Sequence, residues 1–363
     1  MIYLDHQATT PLAPEVRAAM ERWLGGPGSD TFGNPHSPHR VGRQADAAVE
    51  LARERVAALF PAGGRVIFTG SATEALNLAL RGNSAARAGQ LTAISAIEHA
   101  AVHETAHDLP GPAHILPVDA AGLLDPEVPL PAKLGVLSVM QVNNEIGTIQ
   151  PAARLYERAR AAGALFVCDA VQAAGKLPIA PADMIAVSAH KFHGPKGIGA
   201  LWVRDGVELA PLITGGGQEG GLRSGTLSPA LCAGMGVAAE LALTRMDEDG
   251  AHMDRLFARA LELFAGWTLN GSPDQRYRGN LNLRREGVDV ARLMSTARTV
   301  CFSAGSACAS DSGKPSRVLA AIGLSPAQAK TSIRLGLGRY TTEAELEEAA
   351  ALLSAAVAEQ EPT

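Results

Sequence analysis

Five apolar runs in this chain stop abruptly at polar side chains, and helical segments lie between them. Arg65 to Phe68 ends in the small-residue turn Thr69-Gly70-Ser71-Ala72-Thr73. Leu91 to Ile97 delivers Glu98 and His99, and Gly135 to Val142 delivers Asn143, Asn144 and Glu145. Ala164 to Cys168 delivers Asp169 and then Gln172, and Met184 to Val187 delivers Ser188, His190 and Lys191. Short, continuously apolar runs suit strands buried on both faces, and their alternation with helices predicts an α/β chain with a doubly wound, mainly parallel sheet. Sheets of that kind bind ligands outside the carboxyl ends of their strands. Thr73, His99, Asn144, Asp169, Gln172, Ser188, His190 and Lys191 should therefore converge on one crevice.

Apolar residues recur at helical spacing from Val41 to Phe60, and further helices are expected at about 14–24, 74–81, 152–162 and 229–246. After Asp247 the pattern becomes a compact alternation of short strands and helices, with the next helix at His252 to Leu263. The expected division is a large domain, 14–246, and a smaller α+β domain formed by 1–13 with 247–363. The stretch Gly215 to Thr226 reads equally as a flexible linker, a tight turn or a phosphate-approaching loop.

No apolar run approaches the roughly 18 residues of a membrane span, and the amino terminus has no signal-peptide pattern, so a cytoplasmic protein is expected. The net charge of −5 is interspersed, without the basic stripe that nucleic acid requires. Four cysteines, at 168, 232, 301 and 308, show no CxxC pairing, so neither a disulfide framework nor a metal site is expected. Cys168, Cys232 and Cys301 sit in apolar surroundings and read as small core residues.

A buried acid at one strand end and a lysine at the next suit pyridoxal 5'-phosphate. The lysine binds the cofactor as a Schiff base, and the carboxylate keeps the ring nitrogen protonated so that the ring withdraws electrons. Lys191 and Asp169 fit those roles. His99 can stack on the ring and move protons. Asn144 and Gln172 suit the ring oxygen. The helix start at Ala72 and Thr73, with Ser188 and His190, suits the phosphate.

Longer motifs carry a resemblance over nearly the whole chain: Tyr3-Leu4-Asp5, Phe32-Gly33-Asn34-Pro35, Ala72-Thr73-Glu74-Ala75, Glu98-His99, Asn143-Asn144-Glu145, Asp169-Ala170-Val171-Gln172, His190-Lys191, Arg223-Ser224-Gly225-Thr226, Gly305-Ser306-Ala307-Cys308 and Ser332-Ile333-Arg334. The chain resembles the cysteine desulfurases of the NifS/IscS type, class V aminotransferases of pyridoxal-phosphate fold type I. The resemblance implies a seven-stranded-type sheet in the large domain and a homodimer in which Thr226 reaches the partner subunit's cofactor phosphate. It implies that Lys191 carries the cofactor, that His99 stacks on it, and that Asn34 and Arg334 hold the substrate carboxylate. Cys308, in the loop 302–313, would be the nucleophile.

The implied reaction converts L-cysteine to L-alanine and leaves the sulfur on Cys308 as a persulfide. An acceptor scaffold or carrier protein would then take it for iron-sulfur cluster assembly or thiolation, and any cluster at Cys308 would be a transient handover state. The alternatives are a selenocysteine lyase or aminotransferase of the same fold, and a non-catalytic persulfide carrier. The chain departs from the family pattern at His6-Gln7, Gly70-Ser71 and Gly220.

Overall fold

The structure, a computed structural model, describes residues 1–84, 87–305 and 316–360. After a two-residue strand, β1 (Ile2–Tyr3), come β2 (Gly64–Thr69), β3 (Leu91–Ser95), β4 (His114–Leu116), β5 (Leu134–Met140), β6 (Leu165–Asp169), β7 (Met184–Ser188) and β8 (Gly199–Arg204). The last seven form one sheet in the order β2-β8-β7-β6-β5-β3-β4, parallel except where β8 meets β2 and β7. The sheet is the doubly wound one expected, with β8 as an addition. Its residues follow Gly194-Pro195-Lys196-Gly197, which by composition reads as a loop.

Every residue of β5 and β7 is buried, which is why these runs read as continuously apolar. Successive side chains of β7 feed opposite cores, as strand geometry requires. Ile185 and Val187 join the core beneath the helices Arg40–Ala57 and Pro229–Thr244, while Met184 and Ala186 join that of Ala72–Gly82 and Ala100–Asp108. The first pair of helices lies close enough that a Cβ on Gly236 would stand 2.8 Å from the Ala52 Cα.

The later part of the chain adds β9 (Thr268–Leu269), β10 (Asn280–Arg284), β11 (Val300–Cys301), β12 (Ser303–Ala304) and β13 (Ser332–Gly336). Four of these form an antiparallel sheet in the order β12-β13-β10-β9, and β1 lies parallel to β11. Asp5 bridges to Gly336, so the first residues of the chain are woven into this second sheet. The helix Met246–Leu263 starts directly after Arg245, earlier than the apolar pattern indicates, because Asp247, Glu248 and Asp249 favour its positive amino-terminal end.

Candidate active site

A cavity of about 470 Å³ lies beyond the carboxyl ends of β5, β6 and β7. Ala72, Thr73, His99, Asn144, Asp169, Gln172, Ser188, His190, Lys191 and Arg334 all line it. These residues come from elements far apart in sequence, and each is held by local chemistry.

At one end, Ser71 caps the helix Ala72–Gly82 by accepting the Glu74 N–H at 3.2 Å. Glu74 in turn accepts the Gly70 N–H at 2.6 Å and the Arg223 Nε–H at 2.7 Å, fixing the turn from both sides. β8 passes directly behind it: a Cβ on Gly199 would lie 2.6 Å from the Ser71 carbonyl carbon. Ala72 and Thr73 present first-turn N–H groups that have no intrahelical acceptor, which fits a phosphate. The departure at Gly70-Ser71 therefore leaves a capped helix start intact.

Asp169 is buried, with its Oδ1 accepting the Val171 N–H at 3.0 Å. Burial raises its pKa, and His99 and Lys191 pull it back. A buried carboxylate placed this way fits a protonated ring nitrogen.

His99 sits at the amino-terminal cap of the helix Ala100–Asp108, its Nδ1 accepting the Ala101 N–H at 3.1 Å. Burial lowers its pKa, so the ring is neutral and its proton lies on Nε2. The corner carrying it is locked by Glu98, whose Oε1 accepts the Ser95 hydroxyl at 2.5 Å and the Met140 N–H at 2.8 Å. Burial pushes the Glu98 carboxyl up to about 8.

Lys191 ends the short turn Ala189–Lys191 after β7, and its Nζ donates to the Gln7 carbonyl at 2.6 Å and the Ala8 carbonyl at 2.9 Å. Gln172 Nε2 donates to the same Gln7 carbonyl at 3.0 Å. The floor of the site is thus the amino-terminal segment, which the sequence analysis places only in the smaller domain. Asp5, Gln7, Ala8 and Ser303 also line the cavity, though none is among the expected site residues. Backbone carbonyls have no side-chain signature, and Gln7 meets Lys191 across 184 positions. This use of backbone also accommodates the unusual Gln7, whose side-chain amide donates to the Gly279 carbonyl at 2.9 Å. His190, with Nδ1 3.2 Å from Thr9 Oγ1, is lowered to about 4 by burial and then by Lys191.

Arg334 on β13 is almost wholly buried and donates from Nη2 to Asp5 Oδ1 at 2.8 Å and from Nη1 to the Asn144 carbonyl at 3.1 Å. Its Nε has no partner among the described residues. A guanidinium so placed at a cavity wall suits a carboxylate.

Asn34 does not join this group. It is exposed, and its side-chain oxygen instead accepts the His36 N–H at 3.0 Å, closing a local turn. Thr226 is likewise exposed and outside the cavity lining. Cys308 lies outside the described residues. The Gly-rich stretch that carries Thr226 is an anchored loop. Glu219 accepts from both Arg53 Nη atoms at 2.7 Å and from the Phe68 N–H at 2.7 Å, and Gly220 takes φ 64°, where glycine is favoured. Cys168 and Cys232 are buried, and burial pushes the Cys232 thiol up to about 12.

A mainly parallel α/β sheet with a lysine and a buried aspartate at adjoining strand ends defines the fold type I pyridoxal-phosphate enzymes. Residues 2–348 match the family model for aminotransferase class-V, and the chain belongs to that family, whose cofactor is pyridoxal 5'-phosphate. It is 41% identical to the cysteine desulfurase IscS of Rickettsia bellii (strain OSU 85-389), the match covering 97% of this chain and 90% of the relative. Among solved structures it is similar to a NifS-like protein, with TM-score 0.90 and 30% identity over 98% of this chain and 99% of that one. It is also similar to SspA in complex with cysteine, with TM-score 0.83 and 34% identity over 94% and 100% of the two chains. Within the family the chain groups with the NifS/IscS type.

Proposed function

We propose that this chain is a pyridoxal-phosphate-dependent cysteine desulfurase, which converts L-cysteine to L-alanine and passes the sulfur to an acceptor protein for iron-sulfur cluster assembly or thiolation. The observation that carries this reading is the single cavity that gathers Lys191, Asp169, His99 and Arg334. Lys191 would hold the cofactor covalently, and Asp169 would hold its ring nitrogen. His99 would lie on the ring face, and Asn144 and Gln172 would serve the ring oxygen. Ala72, Thr73, Ser188 and His190 would hold the phosphate, with Thr226 supplied by a second copy of the chain. When bound, the cofactor supplies an electron sink that lets a proton leave the substrate Cα and weakens its Cβ–S bond.

The residues then divide the work. Arg334 orients the substrate carboxylate through its guanidinium fork. Lys191 removes the α-proton and later returns a proton to the alanine carbon skeleton. His99, neutral with a proton on Nε2 and its Nδ1 occupied by the Ala101 N–H, donates from Nε2 towards the substrate sulfur. The Cys308 thiolate takes the substrate sulfur, so that a persulfide remains on the enzyme. We divide the chain for this chemistry into 14–246, which holds the cofactor, and 1–13 with 247–363, which carries Arg334 and Cys308.

Two measurements test the reading. The purified chain should show an absorption band near roughly 420 nm, and Lys191→Ala should abolish both it and alanine production. Mass spectrometry after cysteine treatment should find one added sulfur on the peptide containing Cys308. A cysteine-dependent release of sulfide with no such adduct, undiminished in Cys308→Ala, would replace this mechanism with a direct lyase.

A further inference from the structure

Behind Lys191 lies a second, smaller chamber of about 30 Å³ that the reaction above does not use. Lys191 and Lys176 both line it. Lys176 Nζ donates to Gln172 Oε1 at 3.0 Å, and the Gln172 amide nitrogen donates onward to the carbonyl that Lys191 also contacts. The two lysines therefore stand at the ends of one chain of hydrogen bonds through Gln172 and the Gln7 carbonyl. The turn carrying Lys176 is seated closely: Gly175 has φ 71°, and a Cβ there would fall 2.7 Å from the Ala242 Cβ and 2.9 Å from the Phe192 Cβ. Phe192 directly follows Lys191, so the docking of this turn fixes the two lysines relative to each other. The Lys176 ammonium also lies 5.1 Å from the centre of the Tyr277 ring.

We propose that Lys176 is a positioning residue of this site, turning Gln172 so that its amide N–H points away from Lys176 and placing a second positive charge behind Lys191. This inference rests on the cofactor reading above. The Gln172 amide nitrogen meets the Gln7 carbonyl, which can only accept, so the amide orientation is determined and its oxygen faces the Lys176 nitrogen. The other titratable groups facing the chamber are His6, His193, Tyr277 and the Asp249–Arg339 ion pair, closed at 2.7 Å. Burial keeps both histidines neutral, at about 3 and about 4, and the ion pair is internally balanced. On its cavity side Lys191 faces Asp169, His99 and His190, which every variant below retains. In the chamber wall Lys176 is the charge that acts on Lys191, and the repulsion is mutual: burial and then Lys191 bring Lys176 down to about 7. Each lysine favours the neutral amine of the other.

The test uses the full chain carrying its cofactor and follows the visible band against pH in wild type, Lys176→Met and Lys176→Arg. Removing the positive charge makes the nitrogen of Lys191 easier to protonate, so the midpoint in Lys176→Met should rise by about half to one pH unit. Lys176→Arg keeps the charge at every pH and should leave the midpoint at or below that of wild type. A wild-type midpoint in Lys176→Met, or an equal shift in both variants, overturns the inference. If Lys176→Met is insoluble, Lys176→Gln removes the same charge and must give the same rise. Absence of any band in the wild type would instead sink the cofactor reading. The pH of half-maximal acetylation of Lys191, read by mass spectrometry, would then still distinguish the variants, and equal values would overturn the role of Lys176.

Discussion

Glu98 occupies a position where its ionised form has lost nearly all hydration. A carboxyl raised to about 8 in the folded chain binds its proton more tightly than the unfolded chain does. Its contribution to stability is therefore full below the ordinary carboxylate range and falls as pH climbs towards 8. Glu98→Gln keeps an oxygen for Ser95 and Met140 and removes the titration. Its melting temperature should match wild type at pH 5 and exceed it by about a few degrees at pH 9, measured by calorimetry. Arg334→Lys should replace a planar fork with a point charge. We expect KM for cysteine to rise about tenfold or more in steady-state kinetics, with the melting temperature lowered because one shorter ammonium cannot serve Asp5 and the Asn144 carbonyl together as the fork does. Polar side chains at strand ends were legible in the sequence because each interrupts an apolar run. Gln7 and Ala8 were not, because their contribution is a carbonyl oxygen that every residue possesses.

Among the elements, the helix Ala72–Gly82 and the loop 215–226 decide how the anion end of the cavity is built. Ser71→Ala removes the cap and should lower stability by about 1 kcal/mol in denaturant titrations, with weaker cofactor retention on dialysis. Glu219 holds the loop through a carboxylate that is 2% exposed, paired with an Arg53 that is 21% exposed. Glu219→Ala should destabilise the chain by about 2 kcal/mol, because it strands the Phe68 N–H and leaves Arg53 with only Glu50 and the Val66 carbonyl as partners. Composition could not choose between linker and loop here, since the decision lies in a contact between Glu219 and Arg53 that are 166 positions apart. β8 was illegible for a related reason. Its antiparallel return is set by pairing Ser188 with Gly199, and the glycines leading into it resemble an irregular segment.

For the whole molecule, Thr226 gives the sharpest expectation. It is exposed and turned out of its own cavity, so the cofactor role proposed for it requires a second copy. Sedimentation velocity should show a dimer, and Thr226→Ala should weaken cofactor binding several-fold while the cofactor-free melting temperature stays unchanged. A monomer that binds cofactor fully would refute this arrangement. The alternating pattern of runs and helices revealed the architecture of the large sheet, and the sequence placed 1–13 with 247–363, but the weaving that pairs β1 with β11 and Asp5 with Gly336 left no local trace.

That weaving governs when the site can come into being. Asp5 meets Arg334 across 329 positions, and Lys191 meets Gln7 across 184. At about 5–20 residues per second, a ribosome makes Gln7 many seconds before Lys191 and longer still before Arg334. Residues 2–8 are therefore made well before the partners that place them. A nascent chain halted before β13 carries the reactive lysine without the arginine that would orient a substrate beside it.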